Sequence, residues 1–197
     1  LCTSRTVLEG LRARGFRNVR LWEHGVDTGR FHPRHRSEAM RRFLTDGHPD
    51  DRLLLYVGRL AAEKSVERLR DVLLAADGIR LAVVGDGPHR RALEVHFAGT
   101  PAKFTGFLHG EALAQAYASS DLFVFPSTTE TLGLVLLEAM ASGLPPVAAD
   151  LGPAREQIDD GRTGFLFDPA HPDGLTRTVL AALGDEARLR RTAGQAR

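Results

Sequence analysis

Lysine is nearly absent from this chain of 197 residues: Lys64 and Lys103 are the only two, and arginine supplies the rest of its 26 basic side chains. Cysteine is rarer still, with Cys2 alone. A single thiol cannot close an internal disulfide, which excludes the small disulfide-stapled scaffolds and fits a reducing compartment. No apolar run approaches membrane-spanning length, and no signal-peptide pattern is present. The basic side chains are matched by 25 acidic ones, for a formal net charge of +1. That balance argues against a nucleic-acid binder working through bulk charge. Internal repeats and low-complexity segments are missing, as is any His-x-x-x-His pair or His/Cys cluster at metal-ligand spacing. What remains is a chain with 43% hydrophobic residues, enough for one good-sized domain or for one domain and part of another.

Its elements alternate. Thr6 to Arg14 reads as a helix capped by Gly15, and Asn18 to Trp22 as a strand, before Gly25-Val26-Asp27 turns the chain. Thr28 to Asp50 is polar and basic, with one helix around Ser37 to Thr45. A regular pattern follows. Apolar runs at Leu53–Val57, Leu81–Val84, Ala102–Thr105, Leu122–Phe125, Pro146–Ala149 and Gly164–Phe167 read as strands. Helices are expected over Lys64–Ala75, Arg90–Phe97, Glu111–Ala118, Leu134–Ala141, Asp173–Leu183 and Asp185–Thr192. Strands that are apolar throughout, alternating with amphipathic helices, predict an α/β fold: a Rossmann-like parallel sheet with helices on both faces. The Gly-rich strand-to-helix turns then line the sheet edge where ligands bind.

Glu130 and Glu138 carry the most chemical information. Glu130 falls on the turn above the strand Leu122–Phe125, and Glu138 about two turns into the helix that ends before Gly143 and Pro145. Between them lies the helix entry, where the N–H groups of Leu132, Gly133 and Leu134 form a natural site for phosphate. Two acceptors flanking an anion-binding helix end suit a ligand with a phosphate in the middle and hydroxyls at both ends, as in a nucleotide sugar. Gly58-Arg59-Leu60 and Glu63-Lys64 follow the strand Leu53–Val57, so Arg59 and Lys64 come from the same edge. A guanidinium and an ammonium there can hold a diphosphate and stabilise its charge as it leaves.

Gly85-Asp86-Gly87-Pro88 superficially resembles a dinucleotide fingerprint, but Arg90 stands where the third glycine belongs. It reads either as a plain strand-to-helix turn or as a loop lining a nucleotide base. His24 reads as a surface or interface histidine. Arg34-His35-Arg36 and the basic run Arg188 to Arg191 read as solvated, with anionic membrane contact as the lesser reading. Gly161-Arg162-Thr163-Gly164 reads as a tight turn.

Taken together, Tyr56-Val57-Gly58-Arg59-Leu60, Glu63-Lys64, Val84-Gly85-Asp86-Gly87-Pro88, the Glu130-to-Glu138 motif and Gly161-Arg162-Thr163-Gly164 closely resemble the C-terminal half of glycosyltransferase family 4. These are retaining, group 1 sugar transferases of the GT-B fold, with two facing Rossmann-like domains. The likeness runs from about Gly25 to Phe167 and continues more weakly beyond. It implies that Arg59, Lys64 and Glu130 are catalytic. The donor would be bound by Gly58, Gly85, Phe107, Leu108, Thr131, Leu132, Gly133, Leu134 and Glu138. In that scheme Arg59 and Lys64 take the diphosphate, Glu138 the ribose hydroxyls and Glu130 the sugar, while residues around Gly106-Phe107-Leu108 contact the base. The resemblance also implies a front-face, oxocarbenium-like reaction in which the leaving phosphate helps to deprotonate the acceptor. No cofactor and no metal is needed.

The stretch Gly25 to Pro33 looks like the branch that holds GDP-mannose-dependent mannosyltransferases and sulfoquinovosyl-diacylglycerol synthases. Leu132 stands where Phe is commoner, and Pro146 where a branched residue is usual. The chain opens on Leu1, and its first residues read as mid-domain sequence. The resemblance therefore implies three parts. Residues 1–26 would be a remnant of an N-terminal acceptor domain, 27–50 the interdomain connection, and 51–197 the nucleotide-sugar-binding domain. The partners expected are a GDP- or UDP-linked sugar, a lipid or glycan acceptor and the missing N-terminal domain, with no nucleic acid. The expected place is cytoplasmic, peripheral at the inner membrane face. The fragment alone is expected to bind donor weakly and catalyse little. A nucleotide-sugar epimerase and a non-catalytic nucleotide-sugar-binding module stay open as alternatives, and a dinucleotide-dependent oxidoreductase stands well behind them.

Overall fold

Leu53, Leu54 and Leu55 are wholly buried, and so are their neighbours in the adjacent strand, Leu81, Ala82 and Val83. Strands apolar on both faces can be covered only from both sides, and they pair in parallel. The computed structural model describes residues 1–196 apart from Glu23, His24 and Thr131, and without the side chain of Pro153. It shows one six-stranded sheet of β1 (Arg52–Val57), β2 (Ile79–Val84), β3 (Ala102–Gly106), β4 (Leu122–Phe125), β5 (Pro146–Ala149) and β6 (Phe165–Phe167). The order is β3-β2-β1-β4-β5-β6, and every pairing is parallel. Leu54 lies beside both Leu81 and Leu122. The chain thus steps outward from β1 to β3, then crosses back to β4 on the other side of β1. That reversal makes a topological switch point between the C-terminal ends of β1 and β4, where open α/β sheets bind ligands.

The helices are α1 (Arg5–Ala13), α2 (Glu38–Leu44), α3 (Leu69–Ala75), α4 (Arg90–His96), α5 (Gly110–Ala118), α6 (Leu134–Ala141), α7 (Gly152–Gln157), α8 (Gly174–Gly184) and α9 (Glu186–Gln195). Helix α3 packs on α8 and α8 on α9, while α2 packs on α5, α5 on α6 and α6 on α7. Right-handed crossovers put these two groups on opposite faces of the sheet. No helix among the described residues is long and apolar enough to cross a membrane.

The sequence reading needs correction at three places. Lys64 to Ala75 is not one helix: two 3-10 turns, Ala62–Lys64 and Val66–Arg68, precede α3. Ser65 sits between them at φ 54, a left-handed conformation that interrupts an α-helix. The expected strand Asn18–Trp22 shrinks to a single parallel bridge between Leu21 and Cys2. Helix α7 has no counterpart in the sequence reading, and Gly152-Pro153 is its start.

The segment 27–50 is more than a solvated tether. Phe31 and Leu44 are buried, as is Arg41. The Arg41 guanidinium reaches across to Asp121 at the start of β4, 2.8 Å away, and also donates to the carbonyls of Pro49, Ser119 and Asp51. Asp121 in turn accepts the Leu53 amide at 2.7 Å. This fully bonded pair ties α2 to the N-terminal ends of the two central strands.

Candidate functional site

The loops that follow β1, β2 and β3 are stitched to one another by backbone bonds. Gly58 N–H donates to Val84 O, Leu60 N–H to Asp86 O, His89 N–H to Leu60 O, and Gly85 N–H to Gly106 O. The approach is so close that a Cβ on Gly85, which has φ 132, would run into the carbonyl oxygen of Gly58. Only glycine satisfies both the angle and the contact. Asp86 is consumed within its own loop: it accepts from Gly87 N–H at 2.7 Å and from Arg90 at 2.9 Å. Those two bonds, the backbone one first, hold its carboxyl below the usual range. Arg90, in the place of a third glycine, therefore braces the turn between Asp86 and Glu94.

At the switch point, Lys64 from the β1 loop meets Glu130 from the β4 loop, Nζ to Oε2, at 3.0 Å. The two side chains are 18% and 23% exposed, at the floor of the edge rather than out in solvent. The other carboxylate oxygen of Glu130 accepts the Leu132 amide at 3.3 Å. Thr129 Oγ1, from the same loop, donates to Glu63 O at 3.3 Å and closes the seam between the two loops. Arg59 is exposed beside them, and its carbonyl accepts the buried Tyr56 hydroxyl at 3.1 Å. Burial and the nearby charge of Glu130 both raise the pKa of that phenol.

Helix α6 opens after Gly133, whose φ of 68 is left-handed. The Leu132 amide is taken by Glu130, while those of Gly133 and Leu134 donate to no acceptor among the described residues. One helical turn and more along, Glu138 is half-buried and accepts a 2.8 Å hydrogen bond from Tyr117 of α5. Burial raises the Glu138 carboxyl above the usual range, with the Tyr117 bond and the Arg30 charge pulling the other way. Phe107 and Leu108 follow β3, on the far side of β2 from this centre. Phe107 is 64% exposed, its ring stacked on His109 at 5.9 Å. Thr131 and His24 lie outside the described residues.

Of the sequence-derived set, Lys64, Glu130, Leu132, Gly133 and Leu134 form one contiguous group, with Arg59 and Gly58 at its edge and Gly85 supporting it. The family model for glycosyl transferases group 1 matches residues 41–197. The chain belongs to this family. It is 48% identical over 170 residues to a sulfoquinovosyl transferase of Arabidopsis thaliana, SQD2, a match covering 85% of this chain and 33% of that one. Over 185 residues it is 43% identical to a GDP-mannose-dependent alpha-mannosyltransferase of Mycobacterium tuberculosis, covering 91% of this chain and 47% of that one. The fold matches that of Anabaena HepE, solved with UDP and glucose, at a TM-score of 0.87 and 24% identity over 99% of this chain and 56% of that one. The chain thus spans a third to about half of the length of the curated relatives it matches.

Two residues of this group 1 glycosyltransferase chain escaped the sequence reading, and a third, Tyr56, entered it only as part of a motif. Tyr117 holds Glu138, Tyr56 supports Arg59, and Gln157 at the end of α7 donates to Leu132 O at 2.7 Å. Neighbouring Glu156 accepts from the Arg5 and Thr6 amides and the Thr6 hydroxyl, fastening α1 to the same short helix. A buried tyrosine carries a polar tip that needs a partner, and that tip is the one signal in the sequence for these two contacts.

Proposed function

We propose that this chain is the donor-binding half of a retaining hexosyltransferase, which moves a sugar from a nucleotide diphosphate to a hydroxyl acceptor. The observation that carries the reading is the Lys64–Glu130 pair: a cation and an acid from different strand loops, joined at the switch point beside a helix entry where the Gly133 and Leu134 amides donate to no acceptor among the described residues. A diphosphate arriving there takes Lys64 over from Glu130, with Arg59 as the second cation. Glu130 is released to accept hydroxyls of the sugar, and the carboxylate of Glu138 accepts those of the ribose. Phe107 and Leu108 offer an apolar surface to the base. As the bond from the anomeric carbon to phosphate breaks, the charge gathering on the diphosphate is met by Arg59, Lys64 and the amides of Gly133 and Leu134. The acceptor oxygen bonds the anomeric carbon on the same face and passes its proton to the departing phosphate. These groups do the work that a divalent cation does elsewhere, so the reading includes no metal and no cofactor.

GDP- and UDP-linked sugars are the donor class. Mannose comes first among the sugars, on the strength of the mycobacterial relative's name. The rest of the protein would supply the acceptor wall, for a lipid or a glycan. A lipid acceptor would place the enzyme peripherally at the inner face of a membrane. The test is to incubate the whole protein with GDP-mannose or UDP-glucose and candidate acceptors, and to follow nucleotide release and product configuration by NMR. Stoichiometric nucleoside diphosphate and an α-linked product support transfer. A rearranged nucleotide sugar with no nucleotide released would support an epimerase instead.

A further inference from the structure

We infer that Tyr117 is the positioning residue for Glu138, holding one carboxylate oxygen so that the other faces the hydroxyls of the donor. The inference rests on the donor-site reading above. Tyr117 is wholly buried, its ring set edge-on to Phe31 at 5.6 Å and tilted on Phe123 at 5.7 Å. The phenol therefore has one place for its hydroxyl, and there it donates to Glu138 Oε2 at 2.8 Å. Glu138 Oε1 has no partner among the described residues. Phe31 itself is fixed by a tight turn: Asp27 Oδ1 accepts from the Gly29 and Arg30 amides, and the Phe31 amide donates to Asp27 O at 2.8 Å. Arg30 lies over the Phe31 ring, 5.6 Å from its centre.

Electrostatics points the same way. Glu138 is raised by burial, and two groups oppose the rise: the Tyr117 bond from α5 and the Arg30 charge from the turn. Among the described residues no group of β4, β5 or α7 acts on it. An acid whose pKa rises loses its charge at a higher pH as pH falls. Without the Tyr117 hydroxyl, Glu138 would protonate earlier on acidification, and would turn from a pure acceptor into a donor on one oxygen.

The test uses the whole protein and whichever of GDP, UDP and ADP the wild type binds most tightly, titrated calorimetrically across pH. Tyr117→Phe keeps the ring and should lower the melting midpoint by only a few degrees, the cost of one hydrogen bond. It should weaken the nucleotide about tenfold at neutral pH, the lower end for a lost hydrogen bond to a charged group. Its acid limb should also move to higher pH. In a Glu138→Gln background the same change should add no further loss, because the hydroxyl acts through the carboxylate. Arg30→Gln, made on an exposed side chain, should shift the acid limb in the same direction without touching the core. A Tyr117→Phe protein with wild-type affinity and pH profile, while Glu138→Gln alone weakens binding, would sink the inference and leave the site standing. Unchanged binding in Glu138→Gln would instead overturn the site reading, and this inference with it.

Discussion

Lys64 and Glu130 are partners in the structure, yet removing one or the other should move nucleotide affinity in opposite directions. The pair is 3.0 Å apart and about one-fifth exposed. Exposed pairs contribute about 0–1 kcal/mol, and breaking a buried one costs about 3–5, so about 1–2 kcal/mol suits this intermediate case. A diphosphate has to take Lys64 from Glu130, so that energy opposes binding. Glu130→Gln relieves the competition and should tighten GDP or UDP by about 5- to 30-fold, at 1.4 kcal/mol per tenfold. Lys64→Gln removes the cation and leaves Glu130 facing the phosphates, so affinity should fall by about tenfold or more. For sugar transfer both variants should be poor, each losing about 100-fold or more, since the proposed mechanism gives Glu130 the sugar and Lys64 the leaving group. Calorimetric titration with the free nucleotide, alongside a transfer assay, reads both effects. If the two variants change nucleotide affinity in the same direction, the exchange of partners is wrong.

Three further outcomes follow from the same geometry. Glu138 has a folded-state pKa raised by burial, so its charge weighs against the fold above that pKa, and the burden disappears below the pKa of the unfolded chain. Glu138→Gln should therefore raise the melting midpoint at neutral pH, with the gap closing as pH drops toward 4, while nucleotide affinity falls by about tenfold or more. Arg41→Met leaves Asp121 and three carbonyls, one buried and two partly so, without their donor. A loss of about 3–5 kcal/mol is expected, or on the order of 10 °C in a thermal scan, and adding Asp121→Asn, which removes the unpaired charge and keeps an acceptor for the Leu53 amide, should recover part of it. Gly85→Ala forces a Cβ against the Gly58 carbonyl. It should cost about 1–3 kcal/mol in denaturant unfolding and weaken nucleotide binding by parting the β1 and β2 loops.

Much of the fold was legible because burial on both faces leaves a plain mark. Leu53 to Val57 has no polar residue to confuse the reading, and β4, α6 and β5 fall where their apolar runs and the Gly143-Leu144-Pro145 stop place them. The failures are local conformations that composition does not encode. Ser65 takes a left-handed φ that an L-residue rarely adopts. Gly152-Pro153 reads as a turn or as a helix start, and the packing of α7 on α6 and β5 decides between them. Arg41 sits among exposed arginines in a basic stretch, and only its distant partner Asp121 shows that it is buried.

In the candidate site, the charged set was readable because Gly-x and Glu-x patterns at strand ends imply a shared edge. The Lys64–Glu130 contact was not, since the sequence assigned both residues to the ligand and neither to the other. Tyr117 and Gln157 act through hydrogen bonds across 21 and 25 residues, a distance over which spacing carries no signal.

The most direct test of the donor-site account is calorimetric titration of the whole protein with GDP, UDP and ADP, beside Glu138→Ala. Saturable binding of one nucleotide, lost or strongly weakened in the variant, is the expected result. Failure of all three to bind, or equal binding by the two proteins, would contradict the account.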